Sequence, residues 1–242
     1  MVGGIHTPAA VEQALALGRA IGANIEAAPL VSGQSCNGLF TGFFSGNVNV
    51  SAGQNCVFSA PCEIKGNVTV NGGGFDLACT VDGNVREYAG SVVLRQNTRV
   101  GGNVNISGVS AVSVSGASVG GNLQIQQLAA GQPPVVISET AIKGNLVVQN
   151  DGSPIEIGGS NANFGNTVGY NLQAGNNHAA LSIDYNDVGG NLQVNNDTAA
   201  TDVSGNTVTQ NLQCQNNTPA VTHVVPNTVV QGEAQGQCAA SP

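Results

Sequence analysis

A five-residue phrase, Gly-Asn-Val/Leu-x-Val/Ile, recurs through this chain and limits what it can fold into. It stands whole at Gly46-Asn47-Val48-Asn49-Val50. It returns, whole or degenerate, with its Asn at positions 67, 84, 103, 122, 145, 171, 191 and 211. The intervals are 20, 17, 19, 19, 23, 26, 20 and 20 residues. Nine copies at a period near twenty define a repeat architecture, in which each unit buries its apolar face against its neighbours.

Aligned on that Asn, the copies share columns. Three residues before it stand Phe44, Ile64, Val81, Val100, Val119, Ile142, Val168, Val188 and Val208. One residue after it stand Val48, Val68, Val85, Val104, Leu123, Leu146, Leu172, Leu192 and Leu212. Three after it the column is apolar except for Glu87, which we read as turned outward by a local bulge; two after it the column is mostly polar. Apolar positions with polar ones between them have a period of two, the mark of a strand with one buried face. The same columns recur once per repeat, so the strands stack coil upon coil. Short runs such as Val92-Val93-Leu94, Val135-Val136-Ile137 and Leu181-Ser182-Ile183 supply further strands in each coil. The expected fold is all-β: a single-stranded parallel β-helix of nine to ten coils over residues 36–242. At about 4.8 Å per coil it makes a rod of roughly 45 Å. It is expected to be right-handed, since parallel crossovers overwhelmingly are.

Residues 1–35 read differently. Thr7-Pro8 is a good helix start, and Val11, Ala14, Leu15, Gly18, Ile21 and Ile25 follow at helical spacing. We expect a short N-terminal α-helix that either caps the first coil or docks on another subunit through Val11, Leu15 and Ile21. An open strand edge needs such cover.

Two Asn columns accompany the phrase. One is Asn-Thr/Asp-Val at Asn166, Asn186, Asn206 and Asn227; the other lies five residues after the main Asn, at Asn150, Asn176, Asn196 and Asn216. Asn tolerates the left-handed turn conformation, and stacked amides form hydrogen-bonded ladders. Turn and ladder duty therefore accounts for them.

The six cysteines fall near the ends. Cys36 and Cys56 each lie eight residues before the first apolar column, and Cys62 and Cys79 each lie two before it. Shared columns in adjacent coils put Cα atoms about 5 Å apart, within disulfide range. The expected pairs are Cys36–Cys56, Cys62–Cys79 and, as the pair left over at one-coil separation, Cys214–Cys238. Disulfides point to an oxidising compartment, so a secreted or cell-surface location. The first residues do not read as a signal peptide; we take the chain as a mature form or one with a misplaced start. No CxxC or neighbouring His suggests zinc.

Charge excludes other roles. The net charge is −8, with six Lys and Arg scattered along the chain, so no basic stripe exists for nucleic acid. No run of eighteen apolar residues spans a bilayer. Enzymes on this fold need paired carboxylates with a basic neighbour, or calcium on clustered Asp. Asp184, Asp187, Asp197 and Asp202 form the densest acidic group, yet no Lys or Arg follows Lys143. Asp187 and Asp197 share columns with Thr or Asn and read as solvated turn positions. Asp184 and Asp187 remain weak calcium candidates; no catalytic residue, other metal ligand or cofactor is expected. An ice-binding face would need a persistent Thr column, which is lacking.

The chain resembles uncharacterised secreted bacterial β-helix proteins. The resemblance rests on Cys36-Asn37-Gly38-Leu39-Phe40-Thr41-Gly42 at the start, and on Asn211-Leu212-Gln213-Cys214-Gln215-Asn216-Asn217-Thr218-Pro219, Asn227-Thr228-Val229 and Gln237-Cys238 at the end. The rung length is also similar to that of the bactofilins, cytoplasmic polymer-forming β-helices, from which the paired cysteines depart. The resemblance brings no catalytic residues to carry over; strand edges at both rod ends, nearly uncharged sides and a spare N-terminal helix lead us to expect an exported, non-enzymatic structural or surface solenoid that assembles end to end as a homo-oligomer or filament. The alternatives are a glycan-binding or polysaccharide-degrading β-helix, with cell-envelope glycan as partner, and a phage or virus fibre module. The last coil loses its apolar columns on our alignment, which sets Gly232, Glu233 and Gln235 at the Asn, +1 and +3 positions.

Overall fold

The computed structural model describes residues 36–108 and 111–239. The expected N-terminal helix, with Val11, Leu15 and Ile21, lies outside the described residues. The chain is a β-solenoid of about ten stacked coils. Each coil contributes to three ladders, and among the described residues the strands pair in parallel.

The first sheet carries the repeat phrase. Its strands include Val104–Ser107, Leu123–Gln126, Leu146–Gln149, Leu172–Gly175, Leu192–Asn195 and Leu212–Gln215. The second sheet includes Ala111–Ser115, Val135–Ser138, Ile155–Gly158, Leu181–Asp184 and Thr201–Ser204. The third is built of two-residue strands such as Ser118–Val119, Thr167–Val168, Asp187–Val188 and Thr207–Val208. In the first coils the chain turns its corners without breaking the strand, as in Asn55–Ile64, Val68–Val81 and Val85–Leu94.

Register follows the columns. Leu123 pairs with Val104 below and Leu146 above, and Leu192 with Leu172 and Leu212. Every residue of the two unbroken apolar columns is buried, from Phe44 at 8 % exposure to Val208 at 0 %. Each such side chain stabilises the rod by roughly 1.5–3 kcal/mol. Stacking is therefore enough to hold the coils without a globular core. In the first coils the interior is aromatic: Phe58 sits with its ring centroid 5.5 Å from that of Phe40 and 6.2 Å from that of Phe75.

The glycine before the Asn is a matter of close approach. A Cβ on Gly83 would come within 2.7 Å of Asn67 Oδ1, and one on Gly190 within 2.6 Å of Asn171 Oδ1. Neither glycine has a positive φ, so room rather than turn freedom explains the residue. The turn role belongs to Asn150, Asn176, Asn196 and Asn216, whose φ values are 60, 57, 61 and 57°.

Three sequence expectations need correction. Glu87 does not turn outward. It pairs in register with Val70 and Ile106 and is 1 % exposed. A register shift does occur, but after this position, between Val70/Asn71 and Asn71/Gly73; Tyr88 is the exposed residue. Cys36 does not share a column with Cys56, because Gly38 is the register partner of Cys56. A two-residue slip between Phe40 and Gly42 shifts the count, and the cysteines meet diagonally with Cα atoms 5.3 Å apart. In the last coil, Glu233 rather than Gly232 takes the Asn place, since Leu212 pairs with Ala234 and Cys214 with Gly236. One extra residue between Thr228–Val229 and Ala234–Gly236 causes the offset.

Candidate functional site

The chain's polar chemistry is arranged in columns parallel to the rod. On the outside, the Asn of the phrase forms a ladder. Asn67 donates both its backbone N–H and its Nδ2 to Asn47 Oδ1, at 2.8 and 3.3 Å. The same double bond recurs from Asn84 to Asn67, Asn103 to Asn84, Asn122 to Asn103 and Asn145 to Asn122. Asn171 keeps only its backbone bond to Asn145, at 3.0 Å. Glu233 closes the ladder through its own N–H, 3.2 Å from Asn211 Oδ1.

Beside it runs a Gln column on the outer face of the first sheet. Gln173 donates to Gln193, Gln193 to Gln213 and Gln213 to Gln235, at 3.0, 2.9 and 3.0 Å. Where Gly175 replaces a side chain, a shallow depression of about 240 Å³ opens. Gln149, Gln173, Gln193, Asn195 and Asn196 line it. Asn195 Oδ1 is buried there without a hydrogen-bond partner.

A second ladder is buried. Two residues before the first apolar column the chain places Cys62, Cys79, Thr98, Ala117, Thr140, Asn166, Asn186, Asn206 and Asn227, coil after coil. Asn166 and Asn186 are each 1 % exposed. Asn166 donates its N–H and Nδ2 to Asn186 Oδ1, at 3.1 and 2.9 Å, and its Nδ2 also reaches the Ile137 carbonyl at 2.8 Å. Asn186 and Asn206 repeat the pattern with the Ile157 and Ile183 carbonyls. This ladder runs opposite to the outer one, because each residue donates forward. Buried amides need such partners, since an orphaned one costs about 1–3 kcal/mol. Nothing in the Asn-Thr/Asp-Val phrase alone separated buried from exposed Asn.

The disulfides tie coils at both ends. Cys36 joins Cys56, Cys62 joins Cys79 and Cys214 joins Cys238, with Cα separations of 5.3, 5.3 and 5.1 Å. Three disulfides suit an oxidising environment.

The acids do not form the expected group. Asp184 faces Asp202 and not Asp187. Ser182 Oγ donates to Asp184 Oδ2, while Ser204 and Thr222 donate to Asp202 at 2.7 Å each. Asp184 is pushed up to about 6, first by burial and then by Asp202 beside it, against the Ser182 hydrogen bond. Asp187 is exposed in the third sheet between Thr167 and Thr207. Two ladders thus separate the calcium candidates. Among the described residues no group of three or more His, Cys, Asp or Glu gathers as a metal set. Asp197, read as solvated, is 0 % exposed and belongs to a buried column. Burial raises Glu87 to about 8, and neither of its oxygens has a hydrogen-bond partner.

The two histidines among the described residues are tied into the rod. His178 Nδ1 lies 2.9 Å from Thr198 Oγ1, and His223 Nδ1 lies 2.9 Å from the Val203 carbonyl. Near the N-terminal end Lys65 bridges Glu63 and Asp82, which together raise its pKa, and Arg95 holds Asp76 through two nitrogens. Among the described residues no helix is long and apolar enough to cross a membrane. Comparison with protein-family models, with curated proteins and with solved structures finds no match.

Proposed function

We infer that this chain is an exported, non-enzymatic structural or surface rod that assembles end to end. The observation that carries the reading is the state of the two end coils. Among the described residues, Gly38–Phe44 and Val48–Ser51 have strand partners on one side only, and so do Thr228–Val229 and Ala234–Gly236. Such edges are templates for further strands. Both terminal coils are stapled by disulfides, which keeps the edges formed while they wait for a partner. Exposed Val224 and Val230 on the last coil add apolar surface there. Negative-stain imaging of the purified protein, with and without residues 1–30, tests this. Rods joined into filaments are expected, and monodisperse monomers under all conditions would overturn it.

A second reading is favoured by the amide-lined depression at Gly175. Side-chain amides in a fixed row suit the hydroxyls of a neutral glycan, which makes cell-envelope glycan the alternative partner. A glycan array paired with a reducing-end assay separates binding from cleavage. No signal in either leaves the structural reading alone.

A further inference from the structure

A third column contains two residues that break its chemistry. Six residues after the phrase's Asn stand Leu128, Asp151, Asn177, Asp197 and Asn217, each at most 4 % exposed. Gln237 closes the series. Each backbone N–H donates to the side-chain oxygen one coil on: Leu128 to Asp151 Oδ1 at 2.8 Å, Asp151 to Asn177 Oδ1 at 3.2 Å, Asn177 to Asp197 Oδ1 at 2.8 Å, and Asp197 to Asn217 Oδ1 at 2.9 Å. One oxygen of each acid is therefore committed as an acceptor.

The other terminal atom decides the matter. Asn217 gives its Nδ2 to the Val194 carbonyl and to Gln237 Oε1, both at 2.9 Å. In the neighbouring buried column Asn166, Asn186 and Asn206 likewise give Nδ2 to a core carbonyl. The position calls for a donor. An ionised carboxylate has none. Asp151 Oδ2 and Asp197 Oδ2 are buried with no hydrogen-bond partner, and so is Asn177 Nδ2 between them.

We propose that Asp151 and Asp197 are neutral carboxylic acids in the tightly closed rod, standing in for Asn, and that their ionisation loosens coils six to eight. Each Oδ2 carries its proton to the carbonyl that an amide would take, which the register assigns to Ile125 for Asp151 and Ala174 for Asp197. The surroundings support the neutral form. The second sheet turns Ile155, Leu181 and Val203 inward and keeps Glu156, Asp184 and Asp202 off the core side; the third leaves Lys143 and Asp187 exposed. His178 is the titratable group that acts on Asp197, and it favours the charged form. Burial is the largest effect at both acids and outweighs His178 and the hydrogen bonds from Asn177 at Asp197, which is raised, and the Leu128 N–H at Asp151, which is raised to about 6.

The sign follows from linkage. Both acids bind their protons more tightly folded than unfolded. The stability they confer is full below the ordinary carboxylate value near 4. The share of Asp151 is lost as pH rises through about 6, and that of Asp197 as pH rises through its own raised value. For Asp151 alone that interval is worth about a hundredfold in the folding equilibrium.

The test uses the full chain in urea at pH 4.5 and pH 7.5. Wild type is expected to unfold at higher urea at pH 4.5. Asp151→Asn, Asp197→Asn and the double variant are each expected to be more stable than wild type at pH 7.5, with a smaller difference between the two pH values. Isotope-edited infrared spectroscopy of labelled aspartate in the wild type should show more protonated carboxyl at pH 5 than the double variant, which keeps only that of Asp184. Asp187→Asn, at an exposed site, should change neither readout. The proposal is overturned if the variants keep the wild-type pH difference, or if the protonated-aspartate band at pH 5 is as strong in the double variant as in wild type. Either single variant gives the infrared comparison if the double variant fails to fold, and an undiminished band there overturns the proposal for that residue.

Discussion

The first four coils and the last four solve the same problem by different means. In both, one inward position per coil sits two residues before the apolar column and must be tied to the coil above. Early in the chain it holds the disulfide Cys62–Cys79. Late in the chain it holds Asn166, Asn186, Asn206 and Asn227, joined amide to amide. The corners differ in parallel. Early corners pass through continuous strands with positive φ at Gly72 and Gly90, while late corners break at left-handed Asn. Coil length differs too: the early intervals vary from 17 to 20 residues, whereas the last two are both 20. A covalent bond tolerates coils of unequal length and a diagonal meeting. An amide ladder tolerates unequal length too, because the difference is absorbed in the loops between strands: the outer Asn ladder keeps its backbone bond across intervals of 17, 23 and 26 residues. The lesson is that the residue type at the inward position, covalent pair early and amide late, distinguishes the two halves, while register at the ladder positions is kept in both.

The contrast can be broken by mutation. The largest effect is expected from Asn186→Ala. It removes the acceptor for the Asn166 N–H and Nδ2 and leaves the Ile157 carbonyl without its amide. A loss of about 4 kcal/mol is expected from several buried orphans. Hydrogen exchange should place it in coils seven to nine, since a solenoid couples nearest neighbours. An evenly spread loss would show that the ladder is not the local tie.

Replacing Cys62 and Cys79 together by Ala should cost about 3 kcal/mol, the loop-entropy value for so short a loop. The loss should stay in the first coils. If exchange in the last four coils rises equally, the two halves are not separate ties.

Glu87→Val should come next, with the opposite sign. It continues the Val70–Ile106 column and removes two buried, unpartnered oxygens, so a gain of about 2 kcal/mol is expected. The folded pKa of Glu87 is raised to about 8. Its contribution is therefore greatest below the ordinary carboxylate range and is lost as pH rises through 8. Urea unfolding between pH 7 and 9 should be flatter in the variant than in wild type.

The smallest effect belongs to Gln173→Ala on the outer face. Its side chain donates one Nε2 bond to Gln193, and a change within about 0.5 kcal/mol is expected in the same assay. A larger loss would move the outer column into the same class as the inner ladder.

Much of this was legible in the sequence because strand periodicity and stacking obey the same arithmetic. Val48 through Leu212 and Phe44 through Val208 could be assigned to the core by offset alone. The left-handed turns at Asn150, Asn176, Asn196 and Asn216 followed from residue chemistry. What escaped was depth. Asp197 and Asn177 share an offset with Asp151 and Asn217, and that shared offset was the available signal for a buried column. Polarity argued for solvent and prevailed, because a lone carboxylate is rarely buried. Glu87 was misjudged for the same reason: the backbone keeps its register and shifts only afterwards, so the side chain stays inside. The Glu233 offset was lost to one inserted residue in the final turn.

The two amide ladders point in opposite directions, and that gives the rod a built-in order of assembly. As the chain leaves the ribosome, each new coil finds an open acceptor waiting on the outer ladder, as Asn84 finds Asn67. The same new coil then supplies the missing acceptor to the coil beneath it on the inner ladder, as Asn206 does for Asn186. From Asn166 to Asn206 each coil is thus half-latched when it arrives and fully latched only when its successor lands. A chain halted midway would keep one row of inner donors unsatisfied until synthesis resumed. In the third column Gln237 plays the part of the arriving coil: it accepts from the Asn217 N–H and Nδ2 and donates its own amide back to the Asn217 carbonyl.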